Sequence, residues 1–183
     1  MTAFNYMSHG TQDLYATFLE RQRGFGVSEK SMITIIYAIG AICGGTVIGF
    51  FSQRWGRQRS IIICAVCGMF LIPAWIFAPG TALLIAGGFL MQFMVQGAWG
   101  VVPVHLNEIS PADFRGTFPG LAYQLGNFAA AYAAQQQAWL AERFRTAEGT
   151  PNYALTMALV ECIVFLAIIV LAAIGREERG KEF

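Results

Sequence analysis

The sequence contains little charge. Only 13% of its 183 residues are Asp, Glu, Lys or Arg, about half the share typical of soluble domains. The formal net charge is +1, so a basic field that would attract nucleic acid is not expected. Hydrophobic residues make up 56% of the chain, and the mean hydropathy is +0.52. This composition is typical of a protein that lies within a lipid bilayer.

The sequence is also poor in cysteine and in catalytic motifs. Its four cysteines, Cys43, Cys64, Cys67 and Cys162, all lie in apolar runs, which does not indicate a secreted disulfide framework. Cys64 and Cys67 form a C-x-x-C without a second pair or a flanking His, so we interpret them as buried thiols rather than metal ligands. Neither H-E-x-x-H nor G-x-S-x-G occurs, and the amino terminus lacks the basic region of a cleavable signal peptide. We therefore predict a protein that is not an enzyme and binds no metal or cofactor.

Long charge-free runs divide the chain into segments. No charged residue lies between Lys30 and Arg54, or between Arg59 and Glu108. Because a helix needs about 20 apolar residues to cross a bilayer core, these runs predict membrane-spanning helices. Strands are not expected, since the runs do not alternate and open sheets cannot face lipid. We predict an all-α bundle with six transmembrane helices at about 2–20, 31–53, 60–78, 81–104, 118–141 and 152–174.

Basic residues favour one orientation weakly. Six spans place both termini on one side of the membrane. With that side in the cytoplasm, the cytoplasmic basic residues are Arg54, Arg57, Arg59, Arg115, Arg176, Arg179 and Lys181. The outside ones are Arg21, Arg23, Lys30, Arg143 and Arg145. This excess agrees with the positive-inside rule, so we expect both termini in the cytoplasm.

Small and polar residues mark contact surfaces. Gly40, Gly44, Gly45 and Gly49 form overlapping small-xxx-small pairs in the second span, which favours close helix packing. The fifth span contains Gln124, Asn127 and three glutamines at 135–137, and we expect it to face a wet cavity or polar neighbours. Gln92 and Gln96, one helical turn apart on the fourth span, either share that cavity or hydrogen-bond to neighbouring helices.

The first span contains a polar face within the stretch NYMSHGTQDLYAT, residues 5–17. At about 100° per residue, one arc of roughly 140° contains Asn5, Ser8, His9, Gln12 and Asp13. His9 and Asp13 are one helical turn apart, so their side chains can meet.

An Asp within a membrane costs about 2.5–3.5 kcal/mol on insertion scales, so this face needs an explanation. Either the pair holds helices together, or the segment is an amphipathic surface helix, or the face is a proton-responsive binding site. Imidazole changes its charge near neutral pH, and an imidazolium at His9 would attract an anion. We favour the binding site, with Asn5, Ser8 and Gln12 as hydrogen-bonding groups.

Glu161 is the one charged residue in the last span. It takes part in proton coupling, or it is a neutral acid hydrogen-bonded within the bundle, or it lies on a surface that another part of the protein covers. The sequence leaves these three alternatives open.

Seven residues of the first span resemble a family signature. Asn5, Ser8, His9, Thr11, Gln12, Asp13 and Thr17 fill the pattern N-x-x-[S/T]-H-x-[S/T]-Q-D-x-x-x-T. That pattern is typical of the seventh helix of fungal lactate/pyruvate:proton symporters, which belong to the major facilitator superfamily.

Two loops are similar to the same superfamily. GFFSQRWGRQRS resembles the loop G-x-x-x-D-[R/K]-x-G-[R/K]-[R/K], with Gly49, Arg54, Gly56 and Arg57 in place and Gln53 instead of the usual Asp. The segment around Glu108 and Arg115 resembles the junction between helices 10 and 11. The resemblance implies that these residues form a conformational loop motif on the cytoplasmic side. For Glu108 and Arg115 we prefer a loop clamp to substrate contact.

The resemblance covers essentially the whole chain but only helices 7–12 of a twelve-helix carrier, so it implies half of a major facilitator superfamily fold. It also implies proton-coupled transport of short monocarboxylates such as lactate, pyruvate or acetate across the plasma membrane. The expected partners are the substrate, a proton, the bilayer, and an amino-terminal six-helix half or a second copy. The alternatives are a carrier half for another organic acid or a sugar, including sialic-acid-like substrates, and a non-transporting fragment that assembles with a full-length carrier.

Overall fold

The computed structural model describes residues 1–175, which fold into α-helices joined by short loops. The helices are α1 (Thr2–Gln12), α2 (Tyr15–Arg21), α3 (Val27–Trp55), α4 (Arg57–Ile76), α5 (Thr81–Ile109), α6 (Phe118–Ala130), α7 (Ala133–Arg143) and α8 (Tyr153–Ile174), with a short 3-10 helix at Ala112–Phe114. Among these residues the extended pairing is one isolated bridge between Arg145 and Pro151. Arg176, Arg179 and Lys181, which the orientation prediction used, lie outside the described residues.

Six spans make up the bundle. The helices α3, α4, α5 and α8 are each long and apolar enough to cross a membrane. The pairs α1–α2 and α6–α7 form the other two spans, each from two shorter helices. The predicted all-α bundle of six spans is confirmed.

Two of the predicted helices are not continuous. The segment predicted as one helix at 2–20 is interrupted at residues 13 and 14, between α1 and α2. The segment predicted at 118–141 is interrupted at residues 131 and 132, between α6 and α7. The sequence contains neither proline nor glycine at these four positions, so the residues that usually signal a kink are missing.

At the first interruption, side chains from other helices donate hydrogen bonds to the backbone carbonyls of α1. The Tyr37 hydroxyl on α3 donates a hydrogen bond to the Thr11 carbonyl, with an O···O distance of 2.7 Å. The Gln137 side-chain amide on α7 donates to the Gly10 carbonyl at 3.2 Å. In a continuous helix both carbonyls would accept from N–H groups four residues later. Side chains inserted into the helical hydrogen-bond ladder are a known cause of such breaks, and here they come from distant parts of the chain.

Glycines bring α3 and α5 into backbone contact, as the small-residue pattern predicts. A methyl group on Gly44 would lie 2.0 Å from the Phe93 carbonyl oxygen, and one on Gly40 would lie 2.3 Å from the Phe89 carbonyl oxygen. Gly49 approaches α5 less closely, since a methyl group there would lie 3.2 Å from the Gly100 carbonyl oxygen. The two helices therefore form a tightly packed pair.

Aromatic side chains fill the core beside this pair. The Tyr15 ring at the start of α2 stacks on Tyr37, with ring centroids 4.5 Å apart, and on Trp75 of α4 at 5.8 Å. Large apolar side chains such as Phe70 and Phe128 are mostly exposed on the outside of the bundle, where a membrane-spanning fold meets lipid. The core therefore fixes α1 and α2 against the α3–α5 pair.

Candidate functional site

The predicted polar face of α1 lies on an open side of the bundle. The His9 imidazole Nδ1 lies 3.1 Å from Oδ2 of Asp13, and the two side chains are 40% and 38% exposed. The helical spacing of the sequence predicts this pair correctly. Asp13 lies in the interruption between α1 and α2, a feature that the spacing alone does not show.

A polar recess of about 260 Å³ opens beside His9. It is lined by Asn5, Ser8, His9, Gln96, Trp99, Tyr123 and Asn127, which come from α1, α5 and α6. Gln96 lies 3.4 Å from the Ser8 hydroxyl, and Gln12 donates to the same hydroxyl at 2.8 Å. The structure thus brings predicted residues of three spans to one place.

Asn5 is a buried residue in the lining of this recess. Its side chain is 1% exposed, and its amide nitrogen donates to the Tyr123 carbonyl at 3.3 Å. This contact fixes α6 against α1. A side-chain amide, a hydroxyl and an imidazole then line one recess and can donate hydrogen bonds to a small polar ligand.

Three predicted site residues lie elsewhere. Gln92 is 1% exposed and does not line the recess, which favours the structural alternative of the prediction. Gln124 is exposed and does not line the recess. Glu161 is fully buried between helices of this chain, which excludes the alternative that it lies on a surface covered by another part.

The loop motif residues form a buried ion pair. The Arg57 guanidinium donates to both carboxylate oxygens of Glu108, with Nη2–Oε1 and Nε–Oε2 distances of 3.1 and 3.2 Å. Arg57 also donates to the Ser52 hydroxyl at 2.5 Å. Gly56 has φ 100° between α3 and α4, a conformation that favours glycine. Glu108 therefore belongs to a clamp that joins α4 to α5, with Arg57 as its partner, while Arg54 and Arg115 lie at the same loops.

Three residues that shape the site have little or no signal in the sequence. Tyr37 and Gln137 hydrogen-bond to the carbonyls at the α1 interruption, and Gly10 accommodates the Glu161 carboxyl. Gln137 belongs to the predicted polar run of the fifth span, which is a weak signal. Tyr37 and Gly10 have no signal in the sequence, because their roles depend on contacts between distant segments.

A second cavity, of about 410 Å³, surrounds the first turn of α1. It is lined mostly by apolar side chains from α1, α4, α5 and α8, with Gln58 and His105 as polar members. Among residues 1–175, no cluster of three or more His, Cys, Asp or Glu side chains could hold a metal ion. The His9 recess is therefore the polar opening that coincides with the predicted site.

Comparison with known proteins places this geometry in context. The family model described as "Sugar (and other) transporter" matches residues 2–174. The chain is 39% identical over 181 residues to a carboxylic acid transporter protein homolog of Saccharomyces cerevisiae, covering 95% of this chain and 29% of the yeast protein. It is 31% identical over 106 residues to the glucose transporter GlcP of Staphylococcus epidermidis, covering 57% of this chain and 23% of that one.

A solved structure has the same fold. The chain is similar to the xylose transporter XylE from E. coli in its inward open conformation, with a TM-score of 0.73 and 19% identity. The likeness covers 97% of this chain and 46% of that chain. The predicted fold is therefore confirmed, and the chain spans less than half the length of these relatives.

Proposed function

This chain belongs to the sugar (and other) transporter family, and on that premise we propose that it forms one half of a carrier for short monocarboxylates and protons. The substrates are acids of the lactate, pyruvate or acetate type. The observation that carries the proposal is the His9–Asp13 pair, 3.1 Å apart on the open polar recess of α1. The similarity to a yeast protein named as a carboxylic acid transporter homolog supports the substrate class.

The recess has the chemistry that a small carboxylate needs. A protonated His9 attracts the anion, while Asn5, Ser8 and Gln96 orient its oxygens by hydrogen bonds. Asp13 orients the imidazole ring through their contact, in which the Nδ1–Oδ2 distance is 3.1 Å. These interactions are stronger in a cavity within the membrane than in water. A proton that travels with the anion offsets its charge, which lowers the cost of crossing the bilayer.

The recess needs an opposite wall to enclose a substrate. We propose that an amino-terminal six-helix half, or a second copy of this chain, supplies that wall. Transport would then follow from rocking of the two halves about a site between them. The carrier would lie in the plasma membrane with both termini of this chain in the cytoplasm.

The first test replaces the two residues of the pair. In this chain co-expressed with an amino-terminal six-helix half, we expect His9→Ala and Asp13→Asn each to abolish uptake of labelled lactate while membrane insertion stays normal. Glu148→Gln is the matched control, because this exposed carboxylate lies in the loop between α7 and α8, away from the recess. Normal proton-driven uptake by both variants would overturn the site assignment.

The second test asks what the chain does alone. Vesicles containing only the purified chain should not take up lactate, whereas vesicles with both halves should. Saturable uptake driven by a pH gradient in the chain alone would refute the requirement for a separate half and identify a second copy as the partner. Competition by glucose, xylose or sialic acid, without competition by pyruvate, would favour the sugar or sialic-acid alternative.

The third test addresses orientation. In a background without the native cysteines, Arg59→Cys and Thr150→Cys should be labelled by an impermeant reagent from opposite sides of the membrane. Both positions are exposed, so labelling reports the side rather than burial. Labelling of both from one side would contradict the topology.

A further inference from the structure

Glu161 lies on α8 behind the interruption of α1, on the side away from the recess. Its side chain is fully buried. A methyl group on Gly10 would lie 1.9 Å from Oε1 of Glu161 and 3.0 Å from Nε2 of Gln137. The carboxyl therefore rests on the backbone of α1, in space that only glycine leaves open, with the Gln137 amide beside it.

Buried acceptor atoms of this cluster lack hydrogen-bond partners within residues 1–175. Neither carboxyl oxygen of Glu161 has a hydrogen-bond partner among the described residues, and the same holds for the side-chain oxygen of Gln137. The Gln137 amide nitrogen donates to the Gly10 carbonyl. Three buried acceptor atoms thus share one small region. Leaving such groups unsatisfied costs about 1–3 kcal/mol each, and one proton on the carboxyl would supply a donor.

Among the described residues, no basic side chain of the surrounding helices forms an ion pair with Glu161. Of the helices packed on α8, α1 presents the Gly10 backbone and α7 presents Gln137. The buried titratable side chains of α4 are Cys64 and Arg57, and Arg57 pairs with Glu108. Tyr37 of α3 is a further titratable group, and its hydroxyl donates to the Thr11 carbonyl. The ion pairs of residues 1–175 do not include Glu161.

We propose that Glu161 is a proton-binding site of the carrier, formed with Gly10 and Gln137 and separate from the His9–Asp13 pair. This inference rests on the proposed function. A proton binds one carboxylate oxygen, and the new O–H donates a hydrogen bond within the cluster without any other bond being formed or broken. In the ionised state the carboxylate needs donors or water, which reach it when α1 separates from α8.

The position of the cluster links this proton to the substrate face. Gln137 bonds to the Gly10 carbonyl at the interruption, and Asp13 lies within that same interruption. A shift of α1 that opens Glu161 to water therefore also moves His9 and Asp13 relative to the α5 and α6 residues of the recess. Proton release from Glu161 and ligand binding in the His9 recess would then both follow from the same movement of α1.

The first experiment is infrared spectroscopy of the whole 183-residue chain in lipid vesicles at neutral pH. We expect a C=O stretch from a protonated carboxylic acid that disappears in Glu161→Gln and persists in Asp13→Asn and Glu20→Gln. Gly10→Ala should shift this band, since the new methyl group displaces the flexible end of the Glu161 side chain. Circular dichroism checks that each variant is folded. Loss of an ionised-carboxylate band in Glu161→Gln, with no loss of a protonated one, would overturn the proposal.

The second experiment separates this proposal from the proposed function. In the complete carrier, Glu161→Gln should retain exchange of labelled lactate for unlabelled lactate but lose its accumulation in response to a pH gradient. His9→Ala should lose both. Normal accumulation by Glu161→Gln would overturn the proton site while the proposed function stands. If the unmodified carrier transports no monocarboxylate, the proposed function fails, and the infrared result alone decides on Glu161.

Discussion

Two buried glutamates in this molecule have opposite surroundings. Glu108, at the end of α5, is 3% exposed and accepts hydrogen bonds from the Arg57 guanidinium. Glu161, in the middle of α8, is 0% exposed and faces Gly10 and an amide. Among residues 1–175 the first carboxylate has a charged partner, and the second forms no ion pair. A buried carboxyl without a compensating charge is suited to exchanging a proton, whereas a compensated one is suited to holding helices together.

Substitution by methionine tests the role of each glutamate. Methionine is similar in size to glutamate and removes both polar oxygens. At Glu108 it would leave the Arg57 guanidinium buried without its partner, and at Glu161 it would remove two unsatisfied acceptors. The two variants should therefore change stability in opposite directions.

The largest effect is expected at the clamp. Glu108→Met should lower the free energy of unfolding by about 3–5 kcal/mol, because breaking a buried ion pair leaves an uncompensated charge. Unfolding of the chain in mixed detergent micelles measures the change. The double variant Arg57→Met with Glu108→Met is the control, and it should recover most of the loss since an apolar pair can replace a buried ion pair. An unstable double variant would show that the loss comes from packing instead.

A smaller effect of opposite sign is expected at Glu161. Glu161→Met should raise the free energy of unfolding by about 1–3 kcal/mol, since burying the carboxyl costs more than the one hydrogen bond of its protonated form returns. The same micelle titration measures it, and Met157→Leu, on the same buried face of α8, controls for repacking. A loss of stability comparable with that of Glu108→Met would mean that Glu161 also stabilises the fold, which would contradict the proposed difference between the two glutamates.

The smallest effect is expected at the exposed pair. His9→Gln and Asp13→Asn should each change the free energy of unfolding by about 0.3–0.5 kcal/mol, as is usual for an exposed pair one helical turn apart. This pair would then matter for uptake and little for stability. A stability loss of several kcal/mol would instead favour the alternative that the pair only holds helices together.

Sequence patterns predict those features that depend on local spacing. The helical period places His9 beside Asp13, and long apolar runs locate the four helices α3, α4, α5 and α8 that can cross a membrane. The pattern N-x-x-[S/T]-H-x-[S/T]-Q-D selects the part of α1 that lines the recess. The patterns fail at residues 13–14 and 131–132, where two predicted helices are interrupted. At the first of these breaks, tertiary hydrogen bonds from Tyr37 and Gln137 override helical continuity.

The amino-acid sequence by itself determined that this chain is a six-span helical membrane protein with a polar face on its first span. Apolar run length decides whether a segment can cross a bilayer, and helical periodicity decides which neighbours share a face; both are local properties. Only the tertiary structure decided that Arg57 compensates Glu108, that Gly10 receives Glu161, and that Tyr37 and Gln137 take the carbonyls of α1. Tyr37 is 26 residues from Thr11, and Gln137 is 127 residues from Gly10. No local periodicity relates residues at such separations.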